Sequence, residues 1–397
     1  DVYKRQLQSG AALSMNKPGL SYSNPGSRWY VLALLTLVYT FNFVDRQVLV
    51  ILQEPIRAEL GLMDWQLGML SGLVFALFYS VLGLPIAHLS ETVGRKRIVA
   101  ASVGFWSAMT VLSGAAQNFV HLLLLRVGVG VGEAGGSPPS HSMISDIFPP
   151  HRRALALSIF SMGVYFGYLV AYSIGGWVAE DLGWRWTFVV VGLPGIVIAL
   201  IVAATVVEPP RGFAEQEAGQ QPGKGAVEGP PGFSATLRML WAKKTFRHLA
   251  MGSSLRSLVG YGVGNFEPSF IMRAHDIAIG DLGWRLALIL GLGGAAGVAI
   301  GGWLADRLGQ RNQLWYLWIP AIALTFTLPL MLLVFTADTL SGFFLFYAPY
   351  ILLASMWFGP SLAINHSLVG LRQRAVASAA LFFVINLIGL GIGPVLV

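Results

Sequence analysis

The residues best placed to do chemistry lie where a chain tolerates them least. Leu122 to Pro139 reads LLLLRVGVGVGEAGGSPP, an apolar run that nonetheless carries Arg126 and Glu133. An ionisable side chain at the centre of a lipid-facing run costs about 3 kcal/mol or more unless it faces a wet cavity or a partner. The two are seven residues apart, about two helical turns, so they share nearly one face with roughly 10 Å between them. Gly128, Gly130 and Gly132 between them remove bulk and let a neighbouring helix or a ligand approach. A second pair, Asp45 and Arg46, sits inside another apolar segment. One such pair is explained by a structural ion pair holding a helix bundle together. Two point to a proton or substrate site along a pathway.

Elements of one kind can position such groups. Hydrophobic residues make up 55% of the 397 and charged ones 11%, about half the charged share of a soluble domain. The apolar runs are long and continuous, as in helices, rather than alternating in tens as in a barrel. The chain is therefore an all-α polytopic membrane protein. Spans are expected at about 29–53, 65–90, 98–117, 119–143, 155–179 and 184–206, then at 248–272, 284–305, 313–336, 339–366 and 375–397. That is six, a polar gap and five, with a twelfth expected beyond the end. Residues 1–14, before Met15, read as a non-native leader. The domains expected are a bundle over 15–206, a linker over 207–247 and an incomplete second bundle over 248–397. The first half of the gap is rich in Pro, Gly, Glu and Gln and should be mobile, burying nothing over 209–230. From Phe233 to Arg247, basic residues alternate with Leu237, Leu240 and Trp241, which suits either a surface helix or the start of the next span.

Basic residues set the orientation. With the N-terminus cytoplasmic, 19 of the 26 Lys and Arg fall in inner loops, four in outer loops and three (Arg46, Arg126, Arg256) within spans. The halves also share landmarks. Glu91 and Gly94 return as Asp306 and Gly309, 215 residues on; Arg153-Ala154 returns as Arg374-Ala375 after 221, and Pro138 as Pro360 after 222. A six-helix unit has been duplicated in parallel.

The stretch GWLADRLGQR, holding Asp306, Arg307, Gly309 and Arg311, closely resembles the signature loop of the major facilitator superfamily. Its first-half copy, with Glu91, Gly94 and Arg95, departs from the pattern: Ala87 replaces a glycine and Thr92 an arginine. The resemblance implies a fold of two pseudo-symmetric six-helix bundles and a charge clasp at this loop that braces one end of the transport cycle. More narrowly, FNFVDRQVL at 41–49, the Arg126-to-Glu133 segment, GWRWTF at 183–188 and SMWFGP near the end are similar to Spinster-like transporters. Members of that family imply proton-coupled movement of lysophospholipids or sphingoid lipids. They also imply that Asp45, Arg46, Arg126 and Glu133 form the ionisable core.

Depth agrees with this grouping. Asp45 lies about 24 Å from the cytoplasmic end of its span, Arg126 about 10 Å and Glu133 about 21 Å from the outer end of theirs. Adjacent Asp45 and Arg46 point about 100° apart, so each needs a partner on another helix. Arg46 or Arg126 with Glu133, and Arg126 with Asp45, are the economical pairings. Burial favours a protonated Glu133 and an arginine an ionised one, which suits a group that changes protonation, with Asp45, during transport. The arginine released can hold an anion such as phosphate. Ser355 stands at the repeat position of Glu133, so coupling is expected in the first bundle alone. In the second half, Arg256 and Glu267 with Tyr347 and Trp357 are expected to bind substrate, the aromatics offering a wall to a lipid tail.

Other functions find no support. The chain lacks GxSxG, HExxH and GxxxxGK[ST], arguing against a membrane-embedded hydrolase or acyltransferase and an ATP-driven pump. No cofactor, metal or nucleic acid is implied. The expected partners are protons, a lipid or small-molecule substrate and membrane lipids, with the chain working as a monomer in a bacterial-type plasma membrane. An exchanger of small organic anions or drugs is the alternative. Single cysteines at Lys224 and Asp181 should label from opposite faces of the membrane; labelling from one face would overturn the topology.

Overall fold

The computed structural model describes residues 22–217, 233–369 and 374–396, which are almost entirely helical. Residues 1–21, including the expected leader, and 218–232 lie outside them. Helix α1 (Pro25–Ile51) begins where the Asn24 side chain accepts from the Gly26 N–H at 2.9 Å, with Pro25 in the first turn, where its missing N–H costs nothing. A short α2 (Gln53–Leu60) follows. Helix α3 comprises Asp64–Gly68, a π-turn at Met69–Leu73, and Val74–Val93. Gly94, at φ 105°, makes a turn that a side chain would strain, and α4 (Arg95–Ser113) leaves it. The fourth expected span is broken into α5 (Phe119–Glu133) and α6 (Ser137–Ile147). Pro138 and Pro139 lack the N–H groups that would continue the ladder. Then come α7 (Pro150–Ser161) and α8 (Gly163–Thr205).

Helix α8 holds two passes. Gly163 meets Thr36 and Thr40, Gly167 meets Phe43 and Gly175 meets Ile51, so its first part runs alongside α1. Gly192 and Gly195 meet Ser107, and Ala199 meets Gly104, so its second part runs back along α4. The reversal is at Gly183, φ 81°. Beside it the Trp184 indole donates to Glu59 at 2.6 Å, and with Arg185 holds that exposed carboxyl below the usual carboxylate range.

The remaining elements are α9 (Phe213–Glu217), α10 (Phe233–Ala242), α11 (Lys244–His275) and α12 (Ile279–Leu286, a π-turn at Ala287–Gly293, Gly294–Gly309). After them come α13 (Trp315–Phe335), α14 (Leu340–Ser355), α15 (Phe358–Ser367) and α16 (Arg374–Ile385, a π-turn at Asn386–Ile392, Gly393–Leu396). Among the described residues, eight helical stretches are long and apolar enough to cross a membrane. One is folded at Gly183, and α4 and α11 complete eleven passes. The π-turns of α3 and α12 begin 218 residues apart, so the duplication extends to backbone winding.

The halves meet through small residues. Gly176 packs on Gly283 where α8 meets α12, and a Cβ at Gly68 or Gly72 of α3 would collide with Pro394 of α16. Hydrogen bonds between the halves gather at the end remote from the N-terminus. There Arg273 of α11 donates from Nε to Glu54 at 2.8 Å and from Nη2 to Asp64 at 2.8 Å; Ser269 bonds Gln53, and Gly280 N bonds Glu180 at 2.8 Å. Tyr261, Asn265, Ser269 and Arg273 recur every fourth residue of α11, one stripe turned toward the first half.

The linker differs from expectation in its first part. Pro209 accepts from Arg95 at 2.6 Å, Gly212 N donates to Asp146 at 3.0 Å, Ala214 is buried, and Glu217 pairs with Arg28 at 2.6 Å. Proline and glycine favoured a free strand, but Glu217 and the backbone before it find partners on the bundle.

Arg273→Gln should favour opening at the latched end. An exposed ion-pair network is worth about 1 kcal/mol, or roughly fivefold in population. A cysteine at Asn265 should label about that much faster from the latched side; an unchanged rate would show that the latch bears no load.

Candidate functional site

Glycines bring the charges together. Gly130 and Gly132 of α5 lie against the Phe75 main chain of α3 and the Trp106 main chain of α4, and Gly128 against Met109. This close packing carries Arg126 and Glu133, both almost fully buried, up to α1. Arg46 donates from Nε to Glu133 Oε2 at 2.6 Å. Its guanidinium lies over Phe43, Phe75 and Tyr79 at 5.0, 4.7 and 4.7 Å, a cation held by three ring faces as well as a carboxylate.

Arg126 and Asp45 meet differently from the expected carboxylate pairing. Arg126 donates to the main-chain carbonyl of Asp45 at 3.1 Å and to that of Leu70, within the α3 π-turn, at 3.3 Å. Its other N–H groups are left for a cavity of ≈ 10 Å³, room for about one water. Arg46, Gln47 and Arg126 line it from the first half and Tyr261, Asn265 and Leu390 from the second. The cavity therefore sits on the seam between the halves.

Behind the arginines is a polar nest that the sequence reading missed. The Asp45 carboxylate, the Asn42 amide, Trp106 Nε1, Thr110 Oγ1 and Glu133 Oε1 are buried together, with Thr110 and Trp106 directed at Asp45 and Asn42 at Glu133 without well-formed hydrogen bonds among the described residues. Arg126, Glu133, Thr110 and Trp106 are the electrostatic neighbours of Asp45, and Asn42 is one of Glu133. Two carboxylates and two guanidiniums make a neutral set. Asn42 stands one turn before Asp45, a spacing that was readable; Trp106 and Thr110 share a face of α4 with nothing to mark them.

In the second half the Tyr347 hydroxyl donates to buried Glu267, and Tyr347 stacks on Tyr350. Arg256 donates to the Ala354 carbonyl at 2.9 Å and forms no ion pair with Glu267. Glu267 follows Asp45 by 222 residues, the separation of Pro138 and Pro360. The halves thus carry matching acids on their first passes. Trp357 stands apart: it packs with Phe358 in a cluster of Leu240, Phe246 and Leu381, away from the cavity residues. A bulky aromatic before a broken helix end was better used for packing.

The two loop copies also differ. Arg95, 1% exposed, binds Asp146, Glu208 at 2.8 Å, Ser142 at 3.0 Å and the Pro209 carbonyl. In the second copy Asp306 accepts from Tyr316 at 2.8 Å, Arg307 lies over Trp303 at 5.3 Å, Gly309 packs against Tyr316, and Arg311 is exposed. Gln310 stands at the repeat position of Arg95 and Leu368 at that of Asp146. Among the described residues, the departed copy thus builds a charge network, while Asp306, Arg307 and Arg311 of the copy that follows the signature form no ion pair. The side chain of Glu91 lies outside the described residues.

Residues 35–394 match the model of the Major Facilitator Superfamily. An MFS-type efflux pump of Mycolicibacterium smegmatis is 33% identical, over 94% of this chain and 84% of its own. A probable galactarate/D-glucarate transporter of Bacillus subtilis is 28% identical over 72% and 66%. Among solved structures, a bacterial homolog of the human lysosomal transporter Spinster, inward-facing and unoccupied, superposes with a TM-score of 0.85 at 35% identity, over 93% of this chain and 81% of its own. With its eleven passes, repeated halves and charged seam, the chain belongs to the major facilitator superfamily, as a Spinster-like transporter rather than an enzyme.

Proposed function

We propose that the chain is a proton-coupled secondary transporter of an amphipathic anionic lipid, of lysophospholipid or sphingoid type, working by alternating access. The observation that carries this reading is the Arg46–Glu133 ion pair beside a seam cavity toward which Arg126 keeps unused donors. A proton taken by Glu133 releases Arg46. Arg46 and Arg126 then present two guanidiniums to one anionic group, which arginine holds through paired N–H donors. Asp45, beside Arg126, shares the proton-handling role. Glu267, Arg256 and Tyr347 complete the site from the second half, beside an aromatic surface suited to a hydrocarbon tail. With the N-terminus cytoplasmic and the chain acting alone, the Arg273 latch closes the outer face, a reading supported by the likeness to the inward-facing Spinster homolog.

A second reading, exchange of a small sugar-acid anion, is favoured by the likeness to the galactarate/D-glucarate transporter. Uptake into proteoliposomes with an imposed pH gradient, across lysolipids and sugar acids, separates the two.

Glu133→Gln should keep equilibrium substrate binding and counterflow, which move no net proton, and lose accumulation driven by a pH gradient. Arg126→Ala should weaken binding itself about 10- to 100-fold, the worth of one or two charge-assisted hydrogen bonds. If the pair is only structural, each variant loses about 3–5 kcal/mol of stability and the remaining transport keeps its gradient dependence. A folded Glu133→Gln protein that still concentrates substrate on a pH gradient would sink the mechanism.

A further inference from the structure

Helix α10 spans ten residues, about 15 Å, too short to cross a membrane. It lies at the end where α11 starts, the end of the N-terminus. Its inner side seats Leu240 against Phe246 and Ala250 of α11 and Leu381 of α16. Lys243, in the break before α11, donates to the Leu368 carbonyl just after α15. Helix α10 is thereby fastened to three helices of the second bundle, yet it presents a second face. Arg238, Trp241, Lys244 and Arg247 follow at three-residue intervals across the break, and all four are exposed.

Among the described residues these cations have nothing to answer them. No Asp or Glu occurs between Phe233 and Phe266. Among the described residues, the side chains of Arg238, Lys244 and Arg247 have no hydrogen-bond or ion-pair partner. In the first bundle several cations at the same end are answered. Arg28 meets Glu217, Arg95 meets Asp146 and Glu208, and Arg211 meets Asp146. Trp241, 53% exposed, adds the side chain most at home at headgroup depth.

We propose that α10 and the first turn of α11 form a binding surface for the headgroups of anionic phospholipids in the adjoining leaflet. Phosphate oxygens would accept from Arg238, Lys244 and Arg247, with the Trp241 ring at the glycerol level. These lipids are bound, not carried: the surface is separate from the seam cavity and does not depend on what the transporter moves.

The test uses the purified full chain in a neutral detergent, titrated with phosphatidylglycerol or phosphatidylcholine. The readouts are the thermal unfolding midpoint and the number of lipids retained in native mass spectrometry. Phosphatidylglycerol should raise the midpoint saturably and remain bound where phosphatidylcholine does not. Arg238→Gln and Lys244→Gln, far from the seam, should each weaken its apparent affinity about fivefold, the worth of one cation at an anionic surface. The triple variant with Arg247→Gln should lose the increment while keeping its midpoint in phosphatidylcholine. An unchanged apparent affinity in the folded single variants, or an increment that survives in the folded triple variant, overturns the proposal. So does binding of an acidic polypeptide at this face with no response to phosphatidylglycerol, which would assign it to a protein partner.

Discussion

Everything at the centre of this molecule follows from one contact, the ion pair between Arg46 and Glu133 in a region where water is scarce. A carboxylate that is fully buried on α5 cannot stand without a cation close by, and the cation available is on α1. Bringing the two helices within reach requires α5 to lose its own bulk. The glycines at 128, 130 and 132 do this, letting Met109, Phe75 and Trp106 press directly on its backbone. The break after Glu133, at Gly135-Gly136, ends the helix where the charge is needed. The aromatic faces around Arg46 then hold the guanidinium whichever partner it has, so the pair can part without leaving a bare cation in an apolar wall.

The two halves are copies in backbone and unequal in chemistry. Their π-turns, glycine contacts and first-pass acids correspond. Glu133 corresponds to Ser355, however, and the network of Arg95 to a loop with Gln310 and Leu368 at its key positions. The first bundle is therefore braced internally at the N-terminal end by buried charge. The second is held there by packing of α10 and a few single contacts. A rigid partner and a looser one make a pair in which one bundle serves as the frame.

Most of the architecture was legible in the sequence because apolar run length and basic-residue asymmetry are strong, additive signals. Asp45, Arg46, Arg126 and Glu133 stood out for the same reason: charge in a lipid-grade run has few explanations. What stayed hidden depended on facing. That Arg126 would take the Asp45 carbonyl and not its carboxylate is decided by a few ångströms of helix rotation. Trp106 and Thr110 carry no charge and look like any packing residues. Trp357 misled because an aromatic near a helix break serves a core as well as a binding wall. The stretch after Glu208 read as free by composition, yet Glu217 and the backbone at Pro209 and Gly212 answer Arg28, Arg95 and Asp146, which only the folded bundle brings near.

The stripe on α11 has a consequence for how the cycle is divided. Tyr261 and Asn265 touch the cavity, whereas Ser269 and Arg273 close the far end, all on one continuous helix. In a straight rod these would be a single lever, and occupancy and closure would rise and fall as one event. Pro268 lies between the two pairs, and its ring removes the backbone bond that would stiffen the helix there. The two ends of the lever are thus joined at its softest point. The far end can let go while the cavity end keeps its packing, so release of the latch and loosening around the cavity need not be one event.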